Sequence, residues 1–176
     1  MKDVLDIEIR RKIYNIIKKD PGLHARKISE ILHITGQLAD YHLQYLEKKE
    51  VITTVKEEGY RRFYIKGQLG SDDRRRISIL RREIPLRIVL YLLKNPYSQH
   101  KEILKIIDVA PSTLSYHLFN LIKHDIVEIS KESGIKKYKI KNEEEIIKHL
   151  IQYKPYSRIE GMKETWIDLK WTRVTK

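Results

Sequence analysis

The chain has no cysteine, and this absence excludes disulfides, thiolate metal sites and cysteine nucleophiles. It also has no run of about 18 apolar residues that could cross a membrane. Its first residues lack the apolar segment of a signal peptide. We therefore expect a soluble protein that is located in the cytoplasm and has no contact with a membrane.

Sequence motifs that indicate catalysis are missing as well. There is no glycine-rich phosphate loop, no cluster of residues at metal-ligand spacing and no nucleophile elbow. The seven histidines are spread along the chain without an acid or base partner that the sequence identifies. We expect the protein not to be an enzyme, and we expect no cofactor and no metal.

Basic residues are abundant, with 36 Lys and Arg against 24 Asp and Glu and a formal net charge of +12. Residues 1–70 carry 14 basic and 10 acidic groups, and residues 71–141 carry 15 and 8, so most of the excess lies before residue 142. Such a charge favours a polyanionic partner, because each neutralised phosphate releases counterions. Charge alone does not decide the function, since many basic proteins bind no nucleic acid.

The sequence repeats itself at an offset of 75 residues. Tyr-His-Leu at Tyr41–Leu43 recurs at Tyr116–Leu118, and Pro21 and Gly59 are matched by Pro96 and Gly134 at the same offset. Without any gap, about 14 of roughly 53 aligned positions are identical. A gapless repeat of this length predicts one structural unit that is used twice.

Each copy predicts three helices followed by a β-hairpin. Apolar residues at helical spacing and the helix-breaking Pro21 predict helices over about residues 6–18, 25–33 and 36–49, with Thr35 as the N-cap of the third. β-branched and aromatic residues on either side of Gly59 predict two strands over 51–56 and 60–66. The second copy predicts a helix that has Pro85 in its first turn and runs to about residue 94, helices over 99–107 and 111–123, and strands over 126–130 and 135–141.

Three helices followed by a two-stranded wing form the winged helix-turn-helix plan, in which the second and third helices read a major groove. The expected fold class is mainly α with small β-wings. The expected parts are a first domain at 1–70, a basic linker helix at 71–84, a second domain at 85–141 and C-terminal helices at 142–176. An amphipathic helix is predicted at Asn142–Tyr153, followed by a second helix that carries Trp166. These helices are expected either to form a homodimer or to pack against the same chain.

The segments LADYHLQYLEKKEVI and STLSYHLFNLIKHDIV resemble the third-helix signature of MarR/ArsR-type winged-helix regulators. The whole layout resembles archaeal transcriptional regulators with two tandem winged helix-turn-helix domains, including Pro21-Gly22 before the second helix and the tail at Tyr153–Trp171. The resemblance implies a sequence-specific regulator that binds double-stranded DNA through the third helix and wing of each repeat. The alternative is a winged-helix module for protein interaction in a transcription or chromosome complex.

Candidate DNA-binding residues are polar or aromatic residues on the third helices, together with cations of the wings and linker. Gln and Asn can pair with adenine, Ser and Thr bind bases or phosphates, and Lys and Arg bind phosphates. The candidates are Gln37, Asp40, Tyr41, Gln44, Lys56, Arg61, Arg62, Arg74, Arg75, Ser112, Thr113, Ser115, Tyr116, His117, Asn120, Lys131, Lys136 and Lys137.

Alternatives remain open for three groups of these residues. The Tyr-His pairs could have no role beyond packing the third helix against the wing. The wing cations could lie on a strand face that is exposed to water and contacts no DNA. The linker arginines Arg74, Arg75, Arg81 and Arg82 predict a helical stripe that either follows the DNA backbone or faces water. The second copy is expected to be the better reader, because Asp40 would repel phosphate in the first copy.

Overall fold

A computed structural model of the chain describes residues 4–57, 59–132 and 134–153, with the side chain of Glu132 left out. The chain divides between Arg74 and Arg75 into two units, which we call unit 1 and unit 2. Both units combine helices with one small antiparallel sheet, and the predicted fold class, mainly α with small β-wings, is confirmed. The domain boundaries expected at residues 70, 84 and 141 remain predictions.

Unit 1 contains three helices and one sheet. Its elements are α1 (Glu8–Lys19), β1 (Leu23–His24), α2 (Ala25–Leu32), α3 (Gly36–Lys48), β2 (Ile52–Glu57) and β3 (Tyr60–Ile65). Helix α4 (Ser71–Leu80) includes the division between the units. The remaining elements are α5 (Glu83–Lys94), β4 (Ser98–Gln99), α6 (His100–Ile107), α7 (Pro111–Lys123), β5 (Val127–Glu132), β6 (Ile135–Ile140) and α8 (Glu143–Tyr153).

The repeat seen in the sequence is also a repeat of backbone structure. Adding 75 to the first and last residue of α1 gives the bounds of α5, and the same addition converts α3 into α7 and every wing strand into its counterpart. Unusual backbone angles repeat as well: His33 and Asp108 both have φ of 54° at the end of their helices. The two copies are therefore the same structural unit.

Local chemistry explains where the third helices begin. The Thr35 hydroxyl oxygen accepts a hydrogen bond from the Leu38 amide at 3.3 Å, which confirms the predicted N-cap of α3. Helix α7 has no such cap and begins instead with Pro111, whose ring fixes φ near the helical value and removes an amide that would have no partner. Two different residue types thus start the same helix at the same register.

Apolar faces of these helices form a separate core in each unit. In unit 1, Ile13 and Leu43 pack in a cluster that also includes Phe63 of β3. In unit 2, the equivalent residues Ile88 and Leu118 pack in a cluster that extends to α8. These contacts fix which side of α3 and α7 is turned away from the core.

Each unit has one more strand than the predicted two-stranded wing. Strand β1 pairs with β3 through Leu23 and Phe63, so the sheet of unit 1 has three strands in the order β1-β3-β2. The sheet of unit 2 has the order β4-β6-β5, with Ser98 opposite Tyr138. The extra strand has only two residues, which is too short to show the alternation that predicts a strand.

The predicted stripe of four linker arginines on one helix is wrong. Helix α4 ends at Leu80, and Arg82 has the extended φ and ψ of −85° and 139° as the N-cap of α5. Helix α5 begins at Glu83, and Pro85 lies in its first turn as predicted. Leu80 is buried in the core of unit 2, and this packing outweighs the continuous helical pattern of the sequence.

The first predicted C-terminal helix is confirmed as α8. The Asn142 side-chain oxygen accepts a hydrogen bond from the Glu145 amide at 3.4 Å, and Ile146 and Leu150 pack in the core of unit 2. The second predicted helix, with Trp166, lies outside the described residues. No helix within residues 4–57, 59–132 and 134–153 is long and apolar enough to cross a membrane.

Candidate nucleic-acid interface

The twice-written Tyr-His pair separates an exposed ring from a ring that packs against the fold. Tyr41 and Tyr116 are 60% and 58% exposed, whereas His42 is 5% exposed and His117 is half-buried. In each pair the two rings meet edge to face, with centroids 5.1 Å apart in unit 1 and 5.2 Å apart in unit 2. The histidine supports the tyrosine, and the tyrosine hydroxyl is left available for contact with a partner.

Both supporting histidines favour the neutral form. Burial, and then the Arg10 guanidinium, lower the pKa of His42. Burial, and then Arg82, lower the pKa of His117. A neutral imidazole contributes no charge to phosphate binding, so the local chemistry favours a packing role for His117 over an ionic one.

In unit 1, an acidic residue of α3, the helix predicted to read DNA, forms hydrogen bonds with the wing. Gln37, Asp40 and Gln44 are exposed on α3, as predicted from helical spacing. Near the end of α3, the Glu47 carboxylate accepts hydrogen bonds from the Thr54 hydroxyl and, at 2.5 Å, from the Arg61 guanidinium. Arg61 therefore already forms a partly exposed ion pair inside unit 1.

In unit 2, the reading helix has no acidic residue at all. Ser115 occupies the position of Asp40, and Ile122 occupies the position of Glu47. The Ser115 hydroxyl donates to the Pro111 carbonyl at 2.9 Å and lies 3.1 Å from the His100 Nε2. Its proton is thus engaged by the backbone, which leaves its oxygen as an acceptor. Ser112 is exposed, while Thr113 and Asn120 are half-buried.

Both wings place two cations directly opposite each other. Lys56 faces Arg61 across β2 and β3, and Lys131 faces Lys136 across β5 and β6. Like charges at directly opposite positions destabilise a sheet. Glu47 offsets this repulsion in unit 1, but no acid whose side chain is described in unit 2 forms an ion pair with Lys131 or Lys136. An anion bound at the second wing would remove that repulsion.

Arg62 makes its contacts inside unit 1. Its guanidinium donates to the Gly22 carbonyl at 3.1 Å and lies 3.4 Å from the Glu57 carboxylate, and the side chain is largely buried. It therefore ties the wing to the turn before β1. Its counterpart in unit 2, Lys137, is half-buried.

The linker arginines have different environments. The guanidinium carbon of Arg74 lies 5.8 Å from the centroid of the Tyr64 ring, within the range of a cation–π contact. Arg75 is exposed. Burial is the largest cause that lowers the pKa of His124, and the nearby charges of Arg75 and Lys123 lower it further.

Comparison with known proteins identifies the repeated unit. Residues 7–77 match a family model described as an N-terminal HTH domain. Residues 81–135 match a model described as winged helix-turn-helix DNA-binding.

The chain carries two helix-turn-helix domains in tandem.

A curated relative of these tandem helix-turn-helix domains is the uncharacterized HTH-type transcriptional regulator MJ1398 of Methanocaldococcus jannaschii. It is 34% identical over 131 residues, which cover 74% of this chain and 32% of that protein. The chain therefore spans about a third of the length of this relative. The homology to an archaeal regulator agrees with the resemblance noted in the sequence, and the MarR/ArsR type remains a prediction.

Two solved structures resemble the chain weakly. The DIP2311 protein of Corynebacterium diphtheriae is 12% identical, with a TM-score of 0.31 over 79% of this chain and 27% of that chain. ScpB of Mycobacterium tuberculosis is 10% identical, with a TM-score of 0.30 over 80% of this chain and 94% of that chain. Both scores are too low to support a structural comparison.

Two residues near helix α7 of the second helix-turn-helix domain, His100 and Phe119, were not predicted from the sequence, and Arg82 was predicted only as part of the linker stripe. His100 contacts Ser115, and Arg82 lies close enough to His117 and His124 to affect the pKa of both. Phe119 is exposed on α7 at the position that Gln44 occupies on α3. The 75-residue offset pointed to Phe119, because Gln44 was a candidate reader. Nothing in the sequence pointed to His100, whereas Arg82 was already predicted as part of the linker stripe.

Proposed function

We propose that the chain is a sequence-specific regulator of transcription that binds double-stranded DNA, and that unit 2 binds DNA more strongly than unit 1. The observation that carries the proposal is that Lys131 and Lys136 face each other without an ion pair to any acid whose side chain the structure describes, beside helix α7, which has no acidic residue. Folding alone does not favour such a pair, whereas phosphate binding does. The helix-turn-helix family models and the relative MJ1398 support the same function.

The reading surface of α7 has groups suited to base edges and phosphates. The Tyr116 hydroxyl is exposed and can donate to a phosphate oxygen, while the oxygen of Ser115 is arranged to accept from a base amine. Helix α7 has 13 residues and would insert into a major groove, which is wide enough for one helix. Lys131 and Lys136 on the wing would then hold the flanking backbone.

Unit 1 is proposed to bind DNA less tightly. Asp40 projects a carboxylate from the first turns of α3, where it repels phosphate unless it accepts from a cytosine amine. Glu47 already holds Arg61, so a phosphate would have to compete for that guanidinium. Unit 1 would therefore add specificity or partner contacts more than affinity.

A homodimer formed through C-terminal residues and a cytoplasmic location belong to the same proposal. The apolar residues Ile146 and Leu150 of α8 pack within unit 2, so they are not available to a second copy. A dimer would have to use other residues of the C-terminal segment. Sedimentation of the full chain over a range of concentrations tests this part of the proposal.

The test of the main proposal is a selection of bound sequences from random duplex DNA by the full chain. The recovered site is then compared with a shuffled duplex of the same base composition by fluorescence anisotropy. We expect tighter binding to the selected duplex by at least about 1000-fold at physiological salt, as for other specific DNA-binding proteins. Equal affinity for both duplexes, or no binding to either, would overturn the proposal and favour the protein-interaction alternative.

A further inference from the structure

Phe119 leaves most of its ring in water, although it lies in the middle of a well-packed helix. The residue is 64% exposed, a larger fraction than for any other large hydrophobic residue in the described part of the chain. An exposed phenyl ring gives up the stabilisation that its burial would provide. The core of unit 2 does not include it. The ring is therefore not explained by the folding of the second helix-turn-helix domain.

The ring lies on the face of α7 that carries the candidate reading residues. Ser112, Ser115 and Tyr116 precede Phe119 by seven, four and three residues, which places them on one side of a helix. The matching position on α3 is Gln44, which is also exposed. Because the backbone register is the same, the two units present chemically opposite side chains, an amide and a phenyl ring, at the same place.

The charge around Phe119 favours a polyanion as its partner. Helix α7 has no acidic residue, and Lys123 is exposed one turn beyond the ring. The second wing adds Lys131 and Lys136, which lack an acidic partner among the described residues. An apolar ring within a cationic face fits a major groove, where phosphates flank the bases. A predominantly apolar protein partner would not compensate these charges.

We propose that Phe119 contacts the C5-methyl group of a thymine in the major groove, so that unit 2 prefers thymine at one defined position of its half-site. This inference rests on the proposed DNA-binding function. A phenyl ring has no strong hydrogen-bond donor or acceptor and cannot read the polar edges of bases. Thymine is the standard base that offers an apolar group in the major groove, and phenylalanine is among the side chains suited to it. Gln44, in contrast, would read a polar base edge, so the two half-sites differ.

The experiment removes that methyl group alone. In the duplex recovered by selection, each thymine is replaced in turn by uracil, which pairs with adenine in the same way but has a hydrogen in place of the methyl group. The dissociation constant of the full chain is measured for every duplex. We expect one position in the unit 2 half-site at which uracil weakens binding about fourfold, the effect of losing one buried carbon.

Three variants of the full chain connect this position with the ring. Phe119→Ala removes the ring, and Phe119→Gln introduces the amide that unit 1 has at the same register. Both should bind the thymine and uracil duplexes equally, and neither should change thermal stability strongly, because the side chain is exposed. Gln44→Ala is the matched control, and it should keep the fourfold effect of uracil at this position.

The outcomes separate this inference from the function on which it rests. If the wild-type chain shows no preference for the selected duplex, the proposed function fails. If it prefers that duplex but no thymine is sensitive to uracil, or if both Phe119 variants remain as sensitive as the wild type, only the thymine contact is wrong. Uracil insensitivity together with dissociation of a dimer in the Phe119 variants would assign the ring to contact between copies, and this also overturns the inference.

Discussion

The two wings offer a matched comparison of a cation that is paired with an acid and a cation that has no such partner among the described side chains. Arg61 and Lys136 occupy the same register of the repeat, and each faces a lysine across the hairpin. The Arg61 guanidinium lies 2.5 Å from the Glu47 carboxylate, whereas no described acid forms an ion pair with Lys136. We therefore predict that Lys136→Ala weakens duplex binding and that Arg61→Ala has a much smaller effect.

The magnitude follows from counterion release. Log affinity falls linearly with log salt concentration, and each phosphate contact makes this slope steeper by about 0.9. Losing the Lys136 contact should therefore make the slope shallower by about 0.9. The ratio of wild-type to variant affinity then falls about 3.5-fold when the salt concentration rises from about 50 mM to about 200 mM. Arg61→Ala should change the slope by much less, because its charge is already paired with Glu47.

A third variant tests the cause directly. Glu47→Gln keeps the size of the side chain but removes the charge that holds Arg61. The released guanidinium should then bind phosphate, and we expect tighter binding at low salt with a slope that increases by up to about 0.9. The combination with Arg61→Ala should abolish that gain.

Fluorescence anisotropy with the selected duplex at several salt concentrations measures these slopes. Lys148→Ala removes an exposed cation on α8, a helix that is not part of either wing, and serves as the control for net charge. An unchanged slope for Lys136→Ala would show that the second wing does not touch DNA. Equal losses of slope for Lys136→Ala and Arg61→Ala would show that Glu47 does not neutralise the first wing in solution.

Three further predictions concern unit 1. Gly22→Ala should lower the free energy of unfolding by about 1–3 kcal/mol in denaturant titrations, because φ is +81° and the new Cβ would lie 2.7 Å from the Tyr64 hydroxyl oxygen. Partial recovery in a double variant with Tyr64→Phe, which removes the hydroxyl but leaves the backbone strain, would confirm the clash, and an unchanged stability of Gly22→Ala would contradict it. The pKa of His42 is lowered in the folded chain, so the unfolded chain takes up a proton at a higher pH than the folded chain does. The contribution of neutral His42 to stability is therefore complete above about pH 6.5 and is lost as the pH falls below that value. His42→Gln should flatten the pH dependence of the unfolding midpoint, and an identical profile in the variant would rule out this histidine as the source of that dependence. Deleting residues 1–70 should shorten the protection footprint by one half-site, and a footprint of the same length and affinity would mean that unit 1 never reads DNA.

Repeated local patterns were predictable from the sequence. A helix is recognisable when its apolar residues recur every three or four positions, and the offset of 75 doubles the evidence for each helix. The N-cap at Thr35 and the turn at Gly59 were predictable for the same reason, since each depends on only a few neighbouring residues. Exposure of Tyr41 and Tyr116 followed from helix geometry once the leucines next to the histidines were assigned to the core.

Contacts between residues far apart in the sequence were decided only by the tertiary structure. Strand β1 exists because Leu23 comes to lie opposite Phe63, 40 residues later. Arg62 and Arg61 are neighbours with the same side chain, yet one bonds the Gly22 carbonyl and the other bonds Glu47. Helix α4 ends where Leu80 enters the core of unit 2, which no local pattern predicted.

The relative roles of the two units depend on both sources of information. The sequence by itself determined that one unit is used twice and that an acid stands in the first reading helix where a serine stands in the second. Only the tertiary structure showed that Glu47 reaches Arg61 across 14 positions of the chain, and that Lys131 and Lys136 face each other without such a partner among the described residues. The physical reason is that the charge of a side chain is local, whereas its neutralisation depends on which groups the fold brings within a few ångströms.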